Sequence, residues 1–109
     1  DHIGGVPFLL KEINVPVYAP PLAMGLIRNK LKEHGLAMEE HVIEAGDIFN
    51  VGAFKVEAIH TNHSIADAMA YSIKCPGGHL VHTGDFKIDY SPLDGKIYSI
   101  RESRCGFYE

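Results

Sequence analysis

The apolar positions of this chain follow two periods, one helical and one of two residues. In the segment 21–34 they recur at helical spacing between charged residues: Leu22, Leu26, Ile27 and Leu31. This pattern predicts an amphipathic helix that packs those four side chains on a sheet and ends before Gly35. A second, shorter helix is predicted over 8–13, because Pro7 suits a first helical turn.

Period-two alternation predicts strands. The segment 54–60 carries two sets of side chains on opposite faces: Phe54, Val56 and Ala58 on one, Lys55 and Glu57 on the other. Short apolar runs predict further strands over 15–19, 41–44, 71–75 and 79–83. A glycine-rich turn joins the last two as a β-hairpin. The chain is therefore predicted to belong to the α/β class, with more strands than helices.

The composition is that of a globular domain, with 46% hydrophobic and 22% charged residues among 109. This length suits one small domain. A net charge of −4 without a basic run argues against a broad electropositive surface in this chain. No apolar run approaches the ~18 residues that cross a bilayer, so no membrane partner is predicted. Cys75 and Cys105 are widely spaced and are predicted to be reduced thiols.

Three short motifs place a possible metal ligand at the start or end of a predicted element. Asp1-His2 precedes two glycines at a helix start, and His63 and Asp85 each follow a predicted strand. Imidazole nitrogens and carboxylate oxygens suit zinc, manganese and related divalent ions, and a carboxylate at a strand end can bridge two of them. Spacing alone leaves a second interpretation open: Asp1 a frayed end, His2 a helix-start residue, His63 a loop residue and Asp85 a turn former.

The polar neighbours of these motifs are predicted to have supporting roles. Ser64 and Asp67 either orient His63 or cap its loop. His82 is predicted to pack or to make a supporting hydrogen bond rather than to bind metal.

The motifs resemble those of the metallo-β-lactamase superfamily. Asp1-His2-Ile3-Gly4-Gly5 is similar to the second half of its His-x-His-x-Asp-His signature. Thr61-Asn62-His63-Ser64-Ile65-Ala66-Asp67 and His82-Thr83-Gly84-Asp85-Phe86-Lys87 resemble its later metal motifs, in the form found in the ribonuclease J group of the β-CASP ribonuclease branch. The resemblance covers residues 1–95, whereas the tail 96–109 departs from the family pattern.

The resemblance implies part of an αββα sandwich, with 1–109 as a single fragment of a metallo-β-lactamase-like domain. Asp1 and His2 would bind a second metal ion, His63 the first, and Asp85 both. Asp1 would also hold or deprotonate the attacking water. The family's first two motif histidines would precede Asp1 and its last metal histidine would lie far downstream, so the fragment alone is expected to be inactive.

The implied activity is hydrolysis of RNA phosphodiesters by a hydroxide held between two Zn²⁺ ions, with Mn²⁺ or Mg²⁺ as alternative metals. The parent would be a cytoplasmic 5′→3′ exoribonuclease and endoribonuclease of rRNA maturation and mRNA decay. Its RNA would preferably carry a 5′-monophosphate, and the enzyme would be a homodimer or homotetramer. Two alternatives stay open: another hydrolase of this superfamily that acts on a small ester, thioester or lactam, and a non-catalytic module that keeps the fold for association.

Overall fold

The computed structural model describes residues 2–88 and 90–91. The chain divides into two compact units, residues 1–43 and residues 44–109. Both helices and strands are present, so the predicted α/β class is confirmed. The assignment of all 109 residues to a single domain fragment stays a prediction, and its divergent tail, 96–109, lies outside the described residues.

The first unit alternates helices with two short strands. A 3₁₀ helix, His2–Gly5, leads into helix α1, Val6–Glu12, and then into strand β1, Val17–Ala19. Helix α2, Pro21–Glu33, follows, and strand β2, Glu40–Val42, pairs with β1 in parallel. The two predicted helices and the first two predicted strands are therefore confirmed, with small differences at their ends. None of the described helices is long and apolar enough to cross a membrane.

The core of the first unit lies between the two helices and β1. It consists of five buried apolar side chains: Leu10, Ala19, Met24, Ile27 and Leu31. The prediction that Leu22 and Leu26 share this face is wrong, because their side chains are 45% and 39% exposed. At about 100° per residue, the buried positions 24, 27 and 31 cluster on one side of α2, and positions 22 and 26 lie on the other.

Helix α2 ends in a Schellman motif, as its glycine predicts. Gly35 adopts a left-handed backbone with φ of 64°. Its N–H donates to Lys32 O at 3.1 Å, and Leu36 N–H donates to Leu31 O at 2.9 Å. These two bonds satisfy carbonyls that the helix itself leaves without a donor.

An exposed ion pair connects α2 with β2. Arg28 Nε lies 2.9 Å and 2.7 Å from the two carboxylate oxygens of Glu40. Hydrogen bonding from Arg28 lowers the pKa of the Glu40 carboxyl. Because both groups are in water, the pair contributes modestly to stability and mainly orients the two side chains.

The second unit is a four-stranded antiparallel sheet with strands in sequence order. Its strands are β3, Ile48–Val51; β4, Phe54–His60; β5, Met69–Cys75; and β6, Gly78–His82. The predicted strand 54–60 matches β4, and the predicted hairpin is formed by β5 and β6. Strand β3 was not predicted, because its four residues, Ile-Phe-Asn-Val, are too few to establish an alternation.

Gly35 and Gly25 provide a matched test of the cap on α2. Replacing Gly35 by alanine forces a side chain into the left-handed region, so we expect a loss of about 1 kcal/mol in the free energy of unfolding. Gly25 lies inside α2 with open space around an added Cβ, so Gly25→Ala should raise stability by up to about 1 kcal/mol. Urea unfolding of the two variants measures both changes, and an unchanged midpoint for Gly35→Ala would show that the cap does not limit stability.

Candidate metal centre

Two of the predicted ligands follow strands that end at the same edge of the sheet. Strands β4 and β6 both run antiparallel to β5, so their carboxyl ends point the same way. His63 lies three residues after His60, the last residue of β4, and Asp85 lies three residues after His82, the last residue of β6. The topology therefore directs both side-chain donors to one end of the second unit.

The loop that carries His63 is closed by its own backbone. Thr61 N–H donates to Ala68 O at 2.9 Å, where the chain returns to β5. Asp67 has a φ of 61°, an uncommon left-handed conformation that an aspartate tolerates better than most residues. Thr61 is buried, whereas His63 is half-buried. The first residue of the loop, Thr61, is therefore buried, whereas the imidazole of His63 reaches the surface.

A single backbone pairing joins this loop to the segment after β6. Asn62 and Lys87 form an antiparallel bridge, in which Lys87 N–H donates to Asn62 O at 2.7 Å. Asn62 directly precedes His63, and Lys87 follows Asp85 by two residues. Paired backbones lie roughly 5 Å apart, so this bridge places the two motifs side by side.

The turn after β6 directs Asp85 towards the same edge. Gly84 has a φ of 59°, which glycine adopts without strain. Its N–H donates to His82 Nδ1 at 3.2 Å. His82 therefore supports the turn that carries Asp85, which is a supporting hydrogen bond of the kind that the sequence predicts.

The ring of His63 is oriented by its neighbour. Ser64 Oγ lies 3.1 Å from His63 Nδ1, so Nε2 is the ring nitrogen that would be left to bind a metal ion. The nitrogen of His63 and the carboxylate of Asp85 are donors that suit zinc and related divalent ions, so these residues fit a metal ion as part of its ligand set. Within residues 2–88 and 90–91, no three His, Cys, Asp or Glu side chains are grouped as a complete metal site.

The remaining two predicted ligands belong to the first unit. His2 is exposed at the start of the 3₁₀ helix and directly precedes Ile3-Gly4-Gly5. Asp1 lies outside the described residues. The assignments of Asp1, His2, His63 and Asp85 to metal ions therefore stay predictions.

Asn62 supports the site, although nothing in the sequence predicts this role. It is 5% exposed, its backbone makes the bridge to Lys87, and its Oδ1 lies 3.2 Å from His60 Nε2. A buried asparagine in a loop has no periodic signature. The only signal in the sequence is its position between two histidines, which does not reveal its pairing partner.

Tyr71 lies in the middle of the same sheet, opposite Ala58 on one side and His82 on the other. Burial raises the pKa of its phenol. The phenol is therefore protonated at neutral pH, and it adds no negative charge to a sheet whose nearby edge carries Asp85.

The sequence model of the metallo-beta-lactamase superfamily matches residues 1–99 of this chain. The chain belongs to this superfamily. The resemblance predicted from the Asp1-His2, His63 and Asp85 motifs is thereby confirmed at the level of the family.

Curated relatives at high identity are ribonucleases by name. Ribonuclease J of Helicobacter pylori is 45% identical over 97 residues, which are 86% of this chain and 14% of that protein. Ribonuclease J 1 of Streptococcus pyogenes is 48% identical over 96 residues, which are 85% of this chain and 17% of the relative. Ribonuclease J of Thermus thermophilus is 45% identical over 106 residues, which are 89% of this chain and 18% of the relative. The chain thus spans less than a fifth of the length of each of these three relatives.

A solved structure resembles part of the fold. It is the crystal structure of a protein of unknown function from Enterococcus faecalis, with a TM-score of 0.55 and 23% identity. The match covers 68% of this chain and 20% of that one. This likeness concerns the fold alone.

Ser64 is expected to control how well His63 binds a metal ion. Ser64→Ala removes the hydroxyl at Nδ1, so we expect Zn²⁺ affinity of the full-length protein to fall by about tenfold. Ser64→Thr keeps the hydroxyl and serves as the matched control, with affinity close to wild type. Competition with a chelator of known affinity measures both. Equal affinities of the alanine and threonine variants would exclude this orienting role.

Proposed function

We propose that the protein to which this chain belongs is a metal-dependent ribonuclease that hydrolyses RNA phosphodiester bonds. The observation that carries the proposal is the bridge between Asn62 and Lys87, which holds an imidazole motif beside a carboxylate motif at one sheet edge. Relatives that are 45–48% identical and named ribonuclease J support RNA as the substrate class. Because the chain spans only 14–18% of these relatives, the proposal concerns the whole protein.

The chain's own residues would hold and orient the catalytic metal ions. His63 would bind the first ion through Nε2, with Ser64 orienting its ring, and Asp85 would bind both ions. Asp1 and His2 would bind the second ion. When bound, the metal ions would polarise the phosphoryl oxygens and lower the pKa of water. Asp1 would accept a proton from the attacking water.

The finer features of the proposal follow the ribonuclease J resemblance. The metals would be two Zn²⁺ ions, or Mn²⁺ or Mg²⁺ in their place. The enzyme would degrade RNA in the 5′→3′ direction from a 5′-monophosphate and would also cut internally, in rRNA maturation and mRNA decay. It would act in the cytoplasm as a homodimer or homotetramer, and the 109 residues would be one part of its metallo-β-lactamase-like domain.

Removal of either donor at the sheet edge should abolish RNA hydrolysis. We expect His63→Ala and Asp85→Ala in the full-length protein to lower kcat by at least about a thousandfold, because each removes a metal ligand. His34→Ala is a matched control: His34 is exposed at the end of α2, where its ring contacts Phe8, and this variant should retain activity. Digestion of end-labelled RNA measures the rates, and elemental analysis measures the metal content.

Two RNA substrates distinguish the 5′-end preference and the exonuclease action from RNA hydrolysis itself. RNA with a 5′-monophosphate should be degraded faster than the same RNA with a 5′-triphosphate, and release of mononucleotides would indicate exonuclease action. Equal rates would remove the 5′ preference and leave the ribonuclease proposal intact. The basic proposal fails if wild-type protein does not hydrolyse RNA, or if Asp85→Ala hydrolyses it at the wild-type rate.

A further inference from the structure

A row of polar side chains crosses the sheet far from the edge near which His63 and Asp85 lie, called the metal edge. The register places Asn50 opposite Lys55, Lys55 opposite Lys74, and Lys74 opposite His79. Direct partners in neighbouring strands point to the same face of a sheet, so these four side chains form one line across all four strands. With strands spaced about 4.8 Å apart, the line is roughly 14 Å long. We call these four residues the basic row.

The two lysines at its centre repel each other. Both are exposed, and among the described residues neither has an ion-pair partner. Like charges at directly opposite positions destabilise a sheet, and an anion placed between them converts repulsion into two attractions. His79 is held at the end of the row, because its Nε2 lies 2.6 Å from Ser72 Oγ.

The surroundings of the basic row favour an anion over other ligands. The next row inward contains Ile48, Glu57, Ser72 and Val81, and its one acidic residue, Glu57, is 5% exposed. The chain as a whole has a net charge of −4, so two unpaired lysines form a local positive site on a negative protein. The inner row therefore presents no exposed carboxylate to compete for the lysines.

The basic row and the metal edge lie at opposite ends of β4. Lys55 is the second residue of this strand and His60 is the last. Five residues at about 3.3 Å each separate them by roughly 17 Å. A ligand that contacts both ends must therefore be long and must carry negative charge at both contacts.

We propose that Lys55 and Lys74, flanked by Asn50 and His79, bind the phosphate backbone of single-stranded RNA at a distance from the cleaved bond. The proposal rests on the proposed ribonuclease function for the choice of polyanion. Lysine and asparagine side chains are typical contacts of phosphate oxygens, and they position a nucleic acid without reading its sequence. An acidic protein partner fits less well, because the row contains no aromatic or aliphatic side chain to anchor a protein interface.

Neutralising the two lysines should weaken the binding of long RNA selectively. In the full-length, metal-loaded protein, Lys55→Gln with Lys74→Gln should raise KM about tenfold for a single-stranded RNA of about 20 nucleotides, with kcat within about twofold. A dinucleotide is too short to reach from the metal edge to the basic row, so its KM should not change. Lys11→Gln with Lys32→Gln removes the same charge from the first unit and should leave both KM values within about twofold of wild type.

Salt dependence supplies a second readout that does not require cleavage. Fluorescence anisotropy of labelled RNA gives the binding constant at several salt concentrations. Loss of two phosphate contacts should reduce the slope of log K against log salt concentration by about 1.4, at roughly 0.7 per contact for a single strand. Each single lysine variant should lose about half of this slope. A melting temperature no lower than that of wild type would show that the double variant is folded.

Several outcomes would overturn the basic row as an RNA site. One is a slope and an affinity equal to those of the Lys11→Gln, Lys32→Gln control. Another is an equal rise in KM for the dinucleotide, which would place the effect at the metal edge. A third is unchanged RNA binding with a loss of poly-glutamate binding, which would favour an acidic protein. If wild-type protein binds RNA through these lysines but does not cleave it, the proposed function fails and the basic row stands.

Discussion

The candidate centre depends on one antiparallel bridge between two loops. Strands β4 and β6 are not neighbours in the sheet, because β5 lies between them. The segments that leave these strands would therefore diverge unless something beyond the sheet joined them. The hydrogen bond from Lys87 N–H to Asn62 O makes that connection. It uses backbone groups, so the positions of His63 and Asp85 are determined by main-chain geometry rather than by long, flexible side chains.

The sequence predicts those features of the fold that depend on residues close together in the chain. Helix α2 ends where a glycine accepts a left-handed backbone, and the β5–β6 hairpin turns at consecutive glycines. Strand β4 is predicted because its seven residues are enough to show a two-residue alternation. Strand β3 has four residues, and its assignment depends on pairing with β4, which is a tertiary contact. Dependence on tertiary contacts also explains why the buried face of α2 differs from the prediction. Met24 rather than Leu22 is buried, because the surface that packs against the helix determines which apolar positions are covered.

The sequence proposes the donors of the candidate site and the supporting role of His82, but it does not reveal the role of Asn62. His63 and Asp85 were identified from their residue types and from the strands before them, and the superfamily match supports the motif from which they were assigned. Asn62 was not identified, because its role depends on a residue 25 positions further along the chain. The sequence also does not show that Ser64 Oγ contacts His63 Nδ1, because a serine beside a histidine is equally compatible with a loop cap.

The sheet of the second unit separates two kinds of electrostatic site by distance along its strands. At the carboxyl ends of β4 and β6, an imidazole and a carboxylate can attract cations. Roughly 17 Å away along β4, the lysines of the basic row can attract anions. At this distance Asp85 and the lysines of the basic row do not neutralise each other. At about 17 Å, well beyond a Debye length of about 8 Å at physiological salt, the two sites act independently, and a single polyanion can contact both.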